Sequence, residues 1–161
     1  MEKYMGLATQ PNIMSDTRAF LDYLHAQPDV KPGAIGTTGY CMGGLMSLTA
    51  AGTYPDEISA TASYHGGRLA TDDPNSPHLL AAKMKSRVYI AGAIEDPSFP
   101  DDMKARLEEA LTSAGVDHTI ETYPAKHGWV FRDIPDFDAA AAERHWESLA
   151  ALLGGKLTER A

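Results

Sequence analysis

The sequence predicts an α/β fold, with a mostly parallel sheet of about four strands and helices on both faces. Short apolar or small-residue segments typical of strands alternate along the chain with segments of helical periodicity. This alternation indicates βαβ units, whose crossover helices cover a parallel sheet. With 161 residues and 43% apolar residues, the chain is expected to form a single domain over residues 1–161 with a substantial core.

The first half of the chain is expected to contain two helices and two strands. Ser15 can cap a first helix in which Phe20, Tyr23 and Leu24 share a face and which ends at Pro28. The elements expected next are a strand over 33–38, a helix over 42–53 and a strand over 58–64.

The second half continues the pattern after a polar loop over 65–75. The expected elements are a short helix over 77–85, a buried strand over 88–91, a helix from Pro100 to Gly115 and a strand over 118–123. A final helix over 136–153 would turn Phe137, Ala141, Leu149 and Leu152 inward, and Gly154-Gly155 would close it.

Composition excludes several classes of partner. A formal net charge of -8 argues against nucleic acid, which requires a basic face. No apolar run reaches the roughly 18 residues of a membrane helix, and the first residues carry no apolar signal core. A single cysteine allows no internal disulfide, and together with seven methionines it favours the cytoplasm. We expect no membrane partner, no cofactor and, since no HExxH-like pair occurs, no metal site.

The most informative motif is Gly-Tyr-Cys-Met-Gly-Gly at 39–44, between a predicted strand and a predicted helix. A small-x-nucleophile-x-small pattern at such a junction forms a sharp turn that lifts the nucleophile above the sheet. Cys41 would then lie at a helix N-terminus, which favours the thiolate form, and the Met42 N–H could donate to an oxyanion. A glycine-rich helix start that merely contains a buried cysteine remains the alternative.

Two further candidates follow later strands in the order nucleophile, acid, histidine. Asp96, with Glu95 beside it, follows the strand over 88–91, and His127 follows the last strand. Because the carboxyl ends of parallel strands meet at one edge of the sheet, we expect Cys41, Asp96 and His127 to lie close together. Taken singly, Asp96 could be a helix-capping carboxylate and His127 a surface histidine.

Several segments together resemble the dienelactone hydrolase family, and the resemblance covers the chain from Ser15 onward. The segment at 39–44 is similar to the family's cysteine-containing elbow, and Tyr64–Gly67 to the segment after its next strand. Gly92–Asp96 resembles the family's acid loop, and Tyr123–Gly128 its histidine loop. The residues at 142–146 resemble the Arg-Trp type of closing helix.

The resemblance implies an α/β-hydrolase fold and the hydrolysis of small esters or lactones through a thioacyl enzyme. It implies that His127 takes the proton of Cys41 and that Asp96 fixes the tautomer of His127. The small-molecule substrate is expected to contact Tyr40. Arg68 and Arg132, which lie in loops after their strands, are candidates for binding a substrate carboxylate.

The sequence departs from the family pattern at its front, because family members carry several strands before the first helix. The residues over 1–14 are too few for four strands, so we expect a domain that lacks the N-terminal third of the fold. The first strand would then have an unpaired edge, which a second copy could cover in a homodimer. A non-catalytic domain acting by association is therefore a second hypothesis, and a thiol-based redox sensor at Cys41 is a third.

Overall fold

A computed structural model of the protein describes residues 6–30 and 33–157. The helices are α1 (Gln10–His25), α2 (Met42–Thr53), α3 (Asp101–Ser113) and α4 (Ala139–Leu157), with a 3-10 helix over Pro77–Lys83. The strands are β1 (Ile35–Tyr40), β2 (Ile58–Tyr64), β3 (Arg87–Ala93) and β4 (His118–Tyr123). The predicted bounds at residues 1 and 161, and the predicted lack of an N-terminal signal, lie outside the described residues.

The four strands form one parallel sheet in the order β1-β2-β3-β4. Since the strand order never reverses, right-handed crossovers place α2, the 3-10 helix and α3 on the same face of the sheet. The opposite face is covered by α4, which follows the last strand. This arrangement confirms the predicted fold class.

The face under α2 and α3 is packed mainly with aliphatic side chains. Leu48 of α2, Ile90 of β3 and Leu107 of α3 are completely buried there. Alternate residues of each strand point to this face, which is the period of two that strand geometry requires. Burying several such side chains, at about 1.5–3 kcal/mol each, stabilises the sheet against its crossover helices.

The face under α4 carries aromatic rings whose hydroxyl groups form hydrogen bonds. Tyr64 and Tyr123 are completely buried among small alanines of β2 and β3. The hydroxyl groups of Tyr64 and Ser148 lie 2.9 Å apart, and the Tyr40 hydroxyl lies 2.7 Å from His145 Nε2. This face therefore combines apolar packing with a buried polar network.

The first helix differs from the prediction in its start and in its buried face. It begins at Gln10, because the Thr9 side chain accepts a hydrogen bond from the Asn12 N–H. Ser15 is thus an exposed residue inside the helix rather than its cap. The predicted apolar face is also wrong, since Phe20 is 69% exposed and the buried residues of the helix are Met14 and Leu21.

The last helix also differs from the prediction at both ends. It begins at Ala139, after the Asp138 carboxylate accepts the Ala141 N–H at 2.8 Å. It continues through Gly154 and Gly155 instead of ending there, as its Leu153 side chain packs against Gly36 of β1. Tertiary packing thus overrides the helix-ending tendency of glycine. Within residues 6–30 and 33–157, no helix has the length and apolarity that crossing a membrane requires.

Candidate active site

Cys41 occupies the turn between β1 and α2 with a strained backbone. Its φ of 54° and ψ of -122° lie outside the regions that non-glycine residues ordinarily adopt. The turn is held by the Cys41 N–H, which donates to the Tyr64 carbonyl at 3.2 Å, and by the Gly44 N–H, which donates to the Cys41 carbonyl at 3.0 Å. The side chain is consequently exposed above the sheet.

The glycines around Cys41 have different reasons for lacking a side chain. A Cβ at Gly39 would overlap the backbone carbonyl of Gly43, and a Cβ at Gly44 would overlap the Ser63 hydroxyl. At Gly43 a Cβ would meet no atom within 4 Å among the described residues, apart from its own helix and its chain neighbours. The expectation that the second residue after the nucleophile must be small is therefore wrong on steric grounds. The requirement falls on Gly44 instead.

His127 and Asp96 form a hydrogen-bonded pair at the carboxyl ends of β4 and β3. His127 Nδ1 lies 2.7 Å from Asp96 Oδ2, and Asp96 is 8% exposed. The second carboxylate oxygen accepts the Ser98 N–H at 2.9 Å and the Ser98 hydroxyl at 2.6 Å. With Nδ1 donating to a carboxylate, His127 has the lone pair of its neutral form on Nε2.

The charge of Asp96 is supported by these hydrogen bonds. Burial acts to raise the pKa of Asp96, but the hydrogen bonds from Ser98 and His127 outweigh it and hold the pKa below its usual value. Asp96 therefore stays ionised at neutral pH. The neighbouring Glu95 is exposed, so the geometry selects Asp96 as the partner of His127.

Cys41 and His127 open onto a common cavity of about 490 Å³. One wall is mainly apolar and comes from the start of α1 and the first turns of α2; it consists of Ala8, Pro11, Met42, Leu45 and Met46. The other wall is polar and comes from the loops after β2 and β3; it includes Arg68, Thr71, Asp73, Asn75, Ser76 and Ser98. The cavity can thus hold a small amphipathic molecule against the thiol.

A family model described as "Dienelactone hydrolase family" matches residues 1–157, which is nearly the whole chain. The chain belongs to the dienelactone hydrolase family. This result confirms the family indicated by the sequence motifs.

Curated relatives agree with the family assignment. A Synechocystis protein named "Putative carboxymethylenebutenolidase" is 31% identical over 159 residues, covering 96% of this chain and 64% of the relative. Protein usf of Aquifex pyrophilus is 25% identical, with 88% of this chain and 59% of that protein covered. The chain therefore spans less than two thirds of the length of these relatives.

Solved structures share the fold. A dienelactone hydrolase-like structure from Klebsiella pneumoniae superposes with a TM-score of 0.83 at 20% identity, covering 93% of this chain and 63% of that one. The dienelactone hydrolase-like promiscuous phosphotriesterase P91, from metagenomic libraries, has a TM-score of 0.78 at 24% identity, with 97% and 65% covered. At these identities the likeness establishes the α/β-hydrolase architecture.

Of the remaining predicted site residues, two lie at the cavity that contains Cys41 and two lie outside it. Met42 begins α2, so its N–H is among the donors without an intrahelical acceptor, and Arg68 lines the cavity. Tyr40 instead turns its hydroxyl towards His145 under α4. Arg132 is exposed and does not line the cavity formed by the described residues. The structure therefore brings Cys41, Met42, Arg68 and His127 together but leaves Tyr40 and Arg132 outside.

Two residues of this family member were not anticipated. Ser98 fixes the carboxylate of Asp96, and its position two residues after an aspartate is a signal of an Asx-type turn. His65 lies completely buried against His127, and no local pattern in the sequence indicated this. Within residues 6–30 and 33–157, no cluster of His, Cys, Asp or Glu is arranged to hold a metal ion.

Proposed function

We propose that the protein hydrolyses small esters or lactones through a thioacyl intermediate on Cys41. The observation that carries this proposal is the shared cavity, because Cys41, on its strained turn, and His127 both line it. The Nδ1 atom of His127 lies 2.7 Å from Oδ2 of Asp96. Membership of the dienelactone hydrolase family supports the reaction class.

In the proposed acylation, His127 Nε2 takes the proton of the Cys41 thiol, and the thiolate attacks the substrate carbonyl carbon. The carbonyl oxygen becomes an oxyanion that accepts a hydrogen bond from the Met42 N–H. When the intermediate collapses, the carbon–oxygen bond of the ester breaks. The departing alkoxide receives the proton from His127, so that a thioester remains on Cys41.

In the proposed deacylation, His127 acts a second time as a general base. It takes a proton from water, and the resulting hydroxide attacks the thioester carbon. The carbon–sulfur bond breaks, the carboxylic acid leaves, and the proton on His127 returns to the Cys41 sulfur. Asp96 stabilises the imidazolium form in both halves of the cycle, since its carboxylate remains ionised.

The cavity supports a small, amphipathic substrate. Its apolar wall, including Leu45 and Met46, suits the hydrocarbon part of an ester, and Arg68 offers a cation on the polar wall. A carboxylate on the substrate could pair with Arg68, as an Arg guanidinium recognises carboxylates well. The Synechocystis relative's name, which denotes a lactone hydrolase, supports a lactone as one substrate class.

The test is to mix the protein with an activated aryl ester and to record product release together with intact mass. We expect a burst of product and one acyl group on Cys41. Cys41→Ala should carry no acyl group, and His127→Ala should form the adduct far more slowly. Glu95→Gln, a change in the same loop as Asp96, is the matched control and should behave like the unmodified protein.

An unchanged mass, with all variants equal to the unmodified protein, would contradict the proposal. It would favour the non-catalytic domain that acts by association. Phe20 and Tyr23, both exposed on α1, would then be the first residues to test in an association assay.

A further inference from the structure

His65 is a buried histidine directly behind His127. It follows the last residue of β2 with a left-handed φ of 40°, and its N–H donates to the Ala91 carbonyl at 2.8 Å. The side chain is 0% exposed. Its ring centroid lies 4.7 Å from that of His127 and 4.9 Å from that of Trp129, with edge-to-face geometry in both cases.

The two ring nitrogens of His65 have no hydrogen-bond partner among the described residues. A buried polar group without a partner destabilises the folded state, and native proteins contain few of them. A phenylalanine ring would fill similar space without this cost. Unpaired polar atoms and a left-handed backbone at one residue are features that cluster at functional sites.

His65 is uncharged at neutral pH. Burial lowers the pKa of His65 to about 4, and the positive charge that His127 can carry acts in the same direction. A neutral imidazole has one N–H and one nitrogen lone pair. The ionisable groups around it are His127, Asp96, His145 and Tyr40. Of these, His127 alone changes its charge during the proposed reaction.

We propose that His65 is a positioning residue for His127, and that its unpaired nitrogen stabilises the imidazolium that His127 forms during hydrolysis. The inference rests on the proposed function, in which His127 holds a proton in both transition states. His65 itself neither gains nor loses a proton in the cycle. It does not line the cavity formed by the described residues, so it acts through His127 rather than on the substrate.

The kinetic test compares His65→Phe with His65→Gln. Phenylalanine keeps the ring volume and removes both nitrogens, so the His127 imidazolium loses a polar neighbour, and we expect kcat to fall about tenfold while KM stays within about twofold. The acid limb of the kcat/KM profile should move to lower pH, because the imidazolium loses support. Glutamine offers an acceptor and should restore part of kcat.

Thermal unfolding separates this effect from misfolding. His65→Phe removes two unpaired polar atoms and should melt no lower than the unmodified protein. A matched control is His145→Phe, since His145 is also buried with an unpaired Nδ1 but contacts Tyr40 and Tyr64 instead of His127. We expect His145→Phe to leave the acid limb in place. A His65→Phe protein with unchanged kcat and an unchanged acid limb would overturn the proposal.

A readout without turnover keeps the two proposals distinguishable. The ring resonances of His127 can be followed by NMR as a function of pH in the unmodified protein and in His65→Phe. We expect the midpoint for His127 to lie at lower pH in the variant. If no ester acylates Cys41 but this midpoint shifts, the proposed hydrolysis fails while the role of His65 stands. If Cys41 is acylated and the midpoint is unchanged, the role of His65 fails alone.

Discussion

The two faces of the sheet are built from different chemistry. The face under α2 and α3 is packed by aliphatic side chains such as Leu48, Ile90 and Leu111. The face under α4 contains tyrosine hydroxyl groups in hydrogen bonds and two buried histidines, His65 and His145, with unpaired nitrogens. The face under α2 also contains polar groups, namely a hydroxyl network of Ser47, Thr37 and Thr61 and an unpaired Ser63 hydroxyl against Gly44. What distinguishes the face under α4 is its aromatic rings and its two histidines with nitrogens that are unpaired among the described residues.

The two histidines with unpaired nitrogens have different neighbours. His65 lies against His127. The hydroxyl of Tyr40, the residue before Cys41, is hydrogen-bonded to His145. The aliphatic face supports the strands from which the site residues project. On the aromatic face, His65 contacts His127 and can influence its chemistry, whereas His145 contacts Tyr40 and Tyr64 instead.

The largest effect is expected at the turn where β1 passes into α2, which anchors the aliphatic face. Gly39→Ala would drive its Cβ into the Gly43 carbonyl, and that backbone cannot move without opening the turn. We expect a loss of at least about 4 kcal/mol in the free energy of unfolding, measured by chemical denaturation. Gly43→Ala meets open space within α2 and should leave the free energy of unfolding unchanged or raise it by up to about 1 kcal/mol. Equal losses in the two variants would refute the assignment of these steric roles.

Truncation on the aliphatic face should reduce stability without altering chemistry. Leu48→Ala leaves a cavity at a completely buried position, and we expect it to lower the free energy of unfolding by about 3–4 kcal/mol. Leu79→Ala, at an exposed leucine, is the control and should change it by less than about 0.5 kcal/mol. If the acid limb of the kcat/KM profile moved to another pH in Leu48→Ala, the aliphatic face would also affect the chemistry of the site, which would contradict this expectation.

The aromatic face should make stability depend on pH. The unfolded chain protonates His65 below about pH 6.5, whereas the folded chain does so only near pH 4, so protons favour unfolding in between. The free energy of unfolding should fall by up to about 3 kcal/mol as pH drops through this window. Denaturation at several pH values should show a smaller fall for His65→Phe. Parallel curves for the two proteins would contradict the burial of a neutral His65.

The smallest effect is expected from one hydroxyl group of the aromatic face. Tyr64→Phe removes a hydrogen bond to Ser148, but Ser148 still donates to the His145 carbonyl at 2.9 Å. We therefore expect a loss of only about 1 kcal/mol. Tyr23→Phe, at an exposed tyrosine, serves as the reference. A loss several times larger would mean that the hydroxyl network acts cooperatively.

Local patterns were sufficient to predict the elements whose signals are local. The strands over 58–64 and 118–123 and the helix over 42–53 have the predicted bounds, since alternation and a glycine-rich start mark them. The start of α1 had a signal in Thr9 followed by Pro11, which is typical of a helix N-terminus. The end of α4 had none, because its last turns depend on packing against Gly36 of β1.

The site was predictable where a motif and a strand end coincide. The order of Cys41, Asp96 and His127 follows from the turn motif and from the topology of a parallel sheet, although their catalytic roles remain predictions. His65 could not be found in this way. Its burial depends on Trp129 and Phe131, which come from the loop after a different strand.

The central claim is that Cys41, His127 and Asp96 act as one unit. The most direct test is the rate of Cys41 acylation by an activated aryl ester in His127→Ala, Asp96→Asn and the double variant. Because Asp96 is proposed to act only through His127, we predict that the double variant is no slower than His127→Ala alone. A double variant whose rate loss equals the product of the two single losses would contradict the account.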